Sequence, residues 1–355
     1  MAVRAQTAIV GVGTTRQGEL AGRTAEEIAV EAIALALADA GITKSDVDGL
    51  ITCRVGGSRQ GVDTSLGSLL GINPRYSATL DYGTCNFSLH LGAMAIMAGL
   101  ADVVVLAYGA AQRSERVNFA QPMGVDLAAA SGFVHIAGPA GLALQRHKYL
   151  YGTTDEQFGH IAVAQRQWAR MNPLAIFTEP LTMDDYLSQP YLVEPLRRSD
   201  VTMISDGGAA LVLTRGDAAH RFPAPPAYLL GIAENTALRG ERDLENLMRP
   251  WLATVAHDVY QSSGLKTCDI DLLYIQDPTA VWVLQMLEYY GFCDIGAGGR
   301  FLAEGHTYPG GSLPLNTNGG QLSESYMWGW LHLCEAVRQL RGHAGPRQVD
   351  RKSVV

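Results

Sequence analysis

Little of this 355-residue chain is charged: Asp, Glu, Lys and Arg make up 17% of it, and no long basic run occurs. A nucleic-acid partner is therefore not expected, because a polyanion is held by clustered Lys and Arg. The net charge of −8 is mild, so a phosphate-bearing substrate would have to meet local basic residues rather than a global field. Uninterrupted apolar runs of about 18 residues, which a membrane span requires, are absent. The longest candidate, Leu89 to Ala111, contains His90 and Asp102 and reads as a helix followed by a strand. The opening MAVRAQTAIVGVG lacks the apolar core and cleavage signature of a signal peptide. Cysteines are few and scattered: Cys53, Cys85, Cys268, Cys293 and Cys334 form no CxxC pair. Neither a disulfide framework nor a zinc site is expected, and a reducing cytoplasm fits. His135, His147 and His160 lack metal-like spacing, and His90, inside an apolar helix, reads as a core residue. Gly11-x-Gly13 follows a strand without completing a dinucleotide fingerprint, so no nucleotide cofactor is expected there.

What the chain has in quantity is apolar residues, 47% of the total, enough for a large core. Thr7–Gly13 reads as a buried strand ending in glycines. Thr24-Ala-Glu-Glu27 is a capping box that opens a helix over Ala25–Ala40, closed by Gly41. Asp46–Cys53 leads into a second strand, Tyr82–Ala98 into a second helix, and Ala101–Tyr108 into a β-branched strand. This alternation predicts a mainly parallel sheet with helices on both faces. From about Ala110 to Arg198 the rhythm breaks into two helices, Pro139–Tyr151 and Thr154–Met171, and Pro-punctuated polar segments. Insertions of that length often shape a substrate site or an oligomer surface. Ala209–Thr214 resumes the strands.

After the linker Phe222–Pro226 the opening order returns, roughly 220–240 residues on. Ala227–Ile232 resembles Thr7–Val12, Asp269–Gln276 echoes Asp46–Cys53, and Gly320–Arg341 echoes the helix after Tyr82. The expected organisation is an α/β chain of two βαβαβ halves, residues 1–221 with the insertion and residues 222–355.

Five stretches carry a family resemblance: Gly152–Pro173, Ser205–Thr214, Leu287–Phe301, Leu313–Gly329 and Glu335–Val349. Together they resemble the thiolase superfamily over nearly the whole chain. The texture is most similar to sterol-carrier-protein-type thiolases and to thiolase-like aldolases that shorten steroid side chains. The resemblance implies a five-layer αβαβα fold. It also locates four chemical positions. Tyr82 stands where thiolases carry the nucleophilic cysteine, and Cys85 follows one helical turn later. Tyr326 stands at the histidine of the Gly-His-Pro motif. Gln276-Asp277-Pro278-Thr279 occupies the Asn or His motif of the second half, where many relatives carry a tyrosine at Gln276. The sequence reaches Val355 before a Cys-x-Gly loop.

By this resemblance, sulfur chemistry is lost and enolate chemistry is retained. The implied activity is a retro-aldol cleavage of a β-hydroxyacyl-CoA, with a steroid side-chain thioester as the implied substrate and no covalent acyl-enzyme, cofactor or metal. Tyr326 is the first candidate for general acid/base, supported by Asp277, Gln276, Tyr82 and the loop histidine His306. Gly83, Cys85, Asn316, Asn318, Gly319 and Gly320 are the expected substrate contacts, because glycine-rich turns at helix N-termini present amides to an oxyanion. Each also has a plain structural reading: an aromatic packed on a sheet, a helix-entry pair at Asp277-Pro278, a solvated histidine, a turn former. Acyl transfer through Cys85 and non-catalytic acyl-CoA binding stay open as alternatives. The expected partners are a second copy of the chain and a small zinc-ribbon/OB-type protein, in a heterotetramer.

Overall fold

The computed structural model describes residues 4–54, 61–81, 83–119, 136–235 and 246–349. Tyr82 and His135 lie outside the described residues. The first strand, β1 (Thr7–Thr14), is buried almost throughout. An extra residue at Val10, opposite the step from Leu213 to Val212, shifts its register. That bulge changes which residues share a face, so Ile9 and Val12 enter one core layer and Ala8 and Val10 the other. Helix α1 (Ala25–Ala40) begins with the expected Thr24/Glu27 capping box and ends at Gly41 with φ 67°. It lies so close on β1 that a Cβ at Gly11 or Gly13 would sit 2.4 Å or 2.2 Å from the carbonyls of Ala36 or Ala32. The two glycines therefore serve helix–strand contact.

The chain continues through β2 (Gly49–Cys53), α2 (Val62–Leu70), β3 (Tyr76–Leu80), α3 (Cys85–Met97) and β4 (Val103–Ala111). The insertion contains α4 (Ala137–Tyr151), α5 (Asp155–Ala169), α6 (Met183–Ser188) and the hairpin β5 (Tyr191–Val193)–β6 (Leu196–Arg197). Then come β7 (Asp206–Arg215) and β8 (Ala227–Tyr228). The sheet has the order β3-β2-β4-β7-β1-β8. Strands β3, β2 and β4 are parallel, but β7 runs antiparallel to both β4 and β1, and β8 antiparallel to β1. The sheet is thus mixed rather than mainly parallel. The insertion carries the chain back to the opposite end of the sheet, so β7 enters reversed.

After β8 come α7 (Leu252–Ser263), α8 (Ala280–Tyr289), α9 (Gly298–Ala303), α10 (Gly320–Ser323) and α11 (Trp330–Leu340). The element order of the first half recurs, but among the described residues its strands are reduced. Leu273 makes a single parallel bridge to Leu315, and the expected strand over Asp269–Gln276 is otherwise irregular. The strand expected over Ala227–Ile232 is only Ala227–Tyr228. Side chains replace the ladder: Asn316 accepts from the Ile275 N–H at 2.9 Å and donates to the Ile275 carbonyl at 3.0 Å. The helix expected over Gly320–Arg341 is broken into α10 and α11, because Trp328 (φ 49°) and Gly329 (φ 84°) turn the backbone left-handed between them.

Two contacts position the second half. Leu273, Ile275, Val283, Leu287 and Leu315 pack with Leu144, Phe158 and Ile161 of the insertion. Trp330, Leu331, Cys334 and Val337 of α11 pack instead on the first sheet, with Leu106, Tyr108 and Leu211. The loop before α11 is thereby brought to the start of α3.

Candidate active site

Helix α3 begins at Cys85, and the Cys85 N–H donates to the Trp328 carbonyl at 3.2 Å. The Trp330 indole donates to the Gly83 carbonyl at 2.7 Å, so the loop before α11 is fastened to the start of α3 from both sides. Glycine permits the approach. A Cβ at Gly83 would sit 3.2 Å from Trp328 and from Tyr108, and one at Gly329 would sit 2.9 Å from the Cys85 sulfur and 3.9 Å from Gln276. Gly83, Cys85, Gln276 and the Trp328-Gly329 turn therefore meet at one place. Tyr326 joins them, buried to 9% exposure, its ring 5.2 Å from the Trp328 ring and its N–H on the Ser205 hydroxyl.

Burial pushes the Cys85 thiol far above its ordinary value, and nearby Cys53 and Cys334 add to the rise. Cys53 and Cys334 are themselves raised by burial, to about 11 and about 12. A nucleophilic cysteine needs the opposite environment, an electropositive one that stabilises thiolate. Burial likewise raises the Tyr108 phenol well above its range, with Tyr326 and Cys53 adding to the rise.

Other predicted residues have different places. Tyr326 is in an irregular loop beyond the single turn of α10, not inside the helix expected over Gly320–Arg341. Asp277 is fully buried and accepts from the Gln321 N–H at 2.9 Å, the Leu322 N–H at 3.3 Å and the His332 Nε2 at 3.0 Å. The first amides of α10 thus face the Asp277 carboxylate, not a cleft. Asn316 clamps Ile275, and Asn318 donates to Glu324. Gly319 lies against Ala169, and Gly320 against Gln165 and Asp277. His306 stands apart: its Nδ1 meets the Ser312 hydroxyl, its Nε2 meets Glu304, and its ring stacks on Phe301. His90 is not a core residue but pairs with Glu234 at 2.6 Å, partly exposed.

Several polar groups near the site have no sequence signal of their own. Glu324 and His332 sit in apolar or glycine-rich surroundings that give no hint of a partner, yet both are buried. They and Asp277 are linked through Asn318. Arg166 on α5 donates to the Ser323 hydroxyl at 3.0 Å and to the Glu179 carbonyl at 3.1 Å. It also borders a hollow of about 650 Å³ lined by Val163, Arg170, Leu181, Met183 and Pro309. Among the described residues no cluster of His, Cys, Asp and Glu can hold a metal ion, and no helix is long and apolar enough to cross a membrane.

Comparison with known proteins agrees with this architecture. Residues 235–355 match the family described as thiolase C-terminal domain-like. A steroid side-chain-cleaving aldolase of Thermomonospora curvata is 34% identical, over 94% of this chain and 90% of the relative. The 17-hydroxy-3-oxo-4-pregnene-20-carboxyl-CoA lyase of Mycobacterium tuberculosis is 33% identical, over 95% of this chain and 92% of its own length. The structure titled Ltp2-ChsH2(DUF35) aldolase superposes with TM-score 0.91 at 33% identity, over 100% of this chain and 94% of that one. Human mitochondrial 3-ketoacyl-CoA thiolase shares the fold, with TM-score 0.71 at 17% identity over 97% of this chain and 94% of its own. A duplicated α/β body, a Tyr326 loop closed on the start of α3, and this degree of identity to aldolase and lyase relatives lead to one conclusion: the chain belongs to the thiolase superfamily.

Proposed function

We propose that the chain is a retro-aldolase that cleaves a β-hydroxyacyl-CoA, with a steroid side-chain thioester as the substrate class its relatives suggest. The observation that carries this reading is that Tyr326 packs on Trp328, whose carbonyl accepts from the Cys85 N–H, while burial raises the Cys85 thiol. The phenol is held beside Trp328, and the only thiol at the helix start is driven away from its nucleophilic form. Reacting as its phenolate, Tyr326 takes the proton of the β-hydroxyl as the Cα–Cβ bond breaks, releasing a ketone or aldehyde. The electron pair moves onto the thioester as an enolate, and a proton returned to its α-carbon completes the shorter acyl-CoA. The half-buried Gln276 carboxamide, whose Cγ lies under Gly329, donates to the thioester oxygen. Asp277 acts as an anchor, holding α10 and His332, rather than as the base.

The hollow over α5 supplies what the weak global charge does not, two guanidinium groups beside an apolar wall. It suits the anionic end of a coenzyme A ester. A homodimer and a small second protein complete the proposed assembly. The similar structure named Ltp2-ChsH2(DUF35) aldolase supports the latter.

The test is product mass spectrometry on a panel of β-hydroxyacyl-CoA esters, with and without a co-purified small protein. Tyr326→Phe should lower kcat by about 10²–10⁴-fold while acyl-CoA still binds. Unchanged turnover in that variant, or an acyl adduct on Cys85, would overturn the reading.

A further inference from the structure

The loop that delivers Tyr326 is closed by a ring of buried polar side chains. Asp277 receives the first amides of α10 and the His332 Nε2. The other ring nitrogen of His332 faces the Asn318 amide nitrogen at 3.0 Å, and that same nitrogen donates to Glu324. Asn172, from the insertion, donates to the second Glu324 oxygen at 2.8 Å and to the Asn318 carbonyl at 2.8 Å. The Glu324 N–H returns to the Gly320 carbonyl, and the Glu324 carbonyl accepts from Ile176. Tyr326 follows two residues later.

The acids of this region are not equally compensated. Glu335 is gripped by Arg347 through two bonds, at 2.8 Å and 3.0 Å. Asp277 has a histidine and two helix amides. Among the described residues, Glu324 has two carboxamide donors and no guanidinium on it. Both its oxygens accept in this arrangement, which is the bonding of a carboxylate. A proton on Glu324 would face the N–H of Asn172 or Asn318. Rotating the Asn318 amide to offer its oxygen would turn that oxygen on His332, whose accepting nitrogen would lose its donor. Protonation therefore either opens the ring or forces the Asn318 amide and the His332 ring to change together, so the present bonding belongs to the ionised acid.

We propose that Glu324 is a positioning residue for Tyr326, and that the ring holds the 320–329 loop in its reactive geometry only while Glu324 is ionised. The inference rests on the role given to Tyr326 above. Burial, and then Glu335, pushes the Glu324 carboxyl up to about 7, while Asn172, Asn318 and His332 oppose the rise. Tyr274, Cys334 and Arg347 are the other titratable groups within its field. The transition therefore falls within the neutral range.

The experiment combines two readouts on the full-length chain. The first is the pH dependence of kcat and KM. The second is amide hydrogen exchange across residues 320–329, corrected for intrinsic rates. In the wild type, kcat and loop protection should fall together as pH drops through about 7, with KM little changed. Glu324→Gln, confirmed folded by thermal unfolding, should lose the acid limb and lower kcat on the order of tenfold or more. Asn172→Ala removes one donor to the carboxylate and should move the acid limb upward by about half a unit or more. This second variant keeps the test decisive if the first does not fold. An acid limb unmoved by Asn172→Ala, or loop protection that does not follow pH, would overturn the inference. If the wild type turns over no β-hydroxyacyl-CoA, the reaction proposed above fails, and the exchange data alone decide whether Glu324 governs the loop.

Discussion

The two halves of the chain hold themselves together by different means. In the first, β4, β7 and β1 form a continuous ladder under α1, and the strand interior is almost wholly apolar. In the second, the corresponding segments barely pair as strands. Asn316 ties Ile275, the Thr317 hydroxyl meets Tyr274 and Gln339, and Arg347 grips Glu335. A ladder of backbone bonds does not titrate. A knot of side chains does, and each member can be lost to one substitution. The half built from the knot is also the half that carries Tyr326, Gln276 and Asp277.

The largest expected departure from this contrast is at Arg347. Its guanidinium makes two bonds to a Glu335 side chain that is 2% exposed and a third to the Met171 carbonyl. Arg347→Ala leaves Glu335 buried with the long Thr317 hydroxyl contact at 3.4 Å but no cation, and chemical denaturation should show a loss of about 3–5 kcal/mol. The bare Glu335 charge should also raise Glu324 further and carry the acid limb of activity upward with it. If Arg347→Ala costs no more than an exposed arginine would, the second half is not held by its polar knot.

A comparable effect, about 3–4 kcal/mol per group at most, is expected in the pH dependence of stability. Burial raises both Glu324 and Asp200 to about 7. Between the ordinary carboxylate value and about 7, the folded chain keeps a proton on each that the unfolded chain releases. Their contribution is therefore complete below the ordinary carboxylate value and is lost as pH rises to about 7. Denaturation midpoints should fall across that window. Glu324→Gln and Asp200→Asn should each remove part of the slope, and an unaltered slope in both would show that neither acid holds its proton. The same ionisation of Glu324 that weakens the fold is the one proposed to order the Tyr326 loop.

The smallest effect belongs to the first half. Thr24→Ala removes the bond from the Glu27 N–H to the Thr24 hydroxyl in the capping box of α1. It should cost about 1 kcal/mol and leave turnover untouched, measured by denaturation and assay together. A fall in turnover would show that the ladder half and the site are coupled more tightly than the contrast implies.

Local elements were legible where the chemistry is local. The Thr24 capping box, the glycine stop at Gly41, and the apolar strands through Val105 and Leu211 could all be read from spacing. Spacing failed where backbone dihedrals or distant partners decide. The left-handed turn at Trp328 and Gly329 splits one apparent helix, and the reversed entry of β7 mixes the sheet. Asp277 and Asn316 could be marked as functional candidates, but not as anchors, because their partners at Gln321, His332 and Ile275 are 41 to 55 positions away. Glu324 gave no signal, since a single acid in a glycine-rich loop is ordinarily solvated.

Composition and periodicity by themselves determined an α/β chain with duplicated element order and a long insertion. Those properties depend on hydrophobic patterning along the chain, which is a one-dimensional quantity. Only the tertiary structure decided that Cys85 is buried as a thiol, that α10 spends its amides on Asp277, and that Glu324 meets Asn172 and Asn318 without a cation. Charge state and hydrogen-bond partnership depend on desolvation and on neighbours from other segments, and these exist only once the chain has packed.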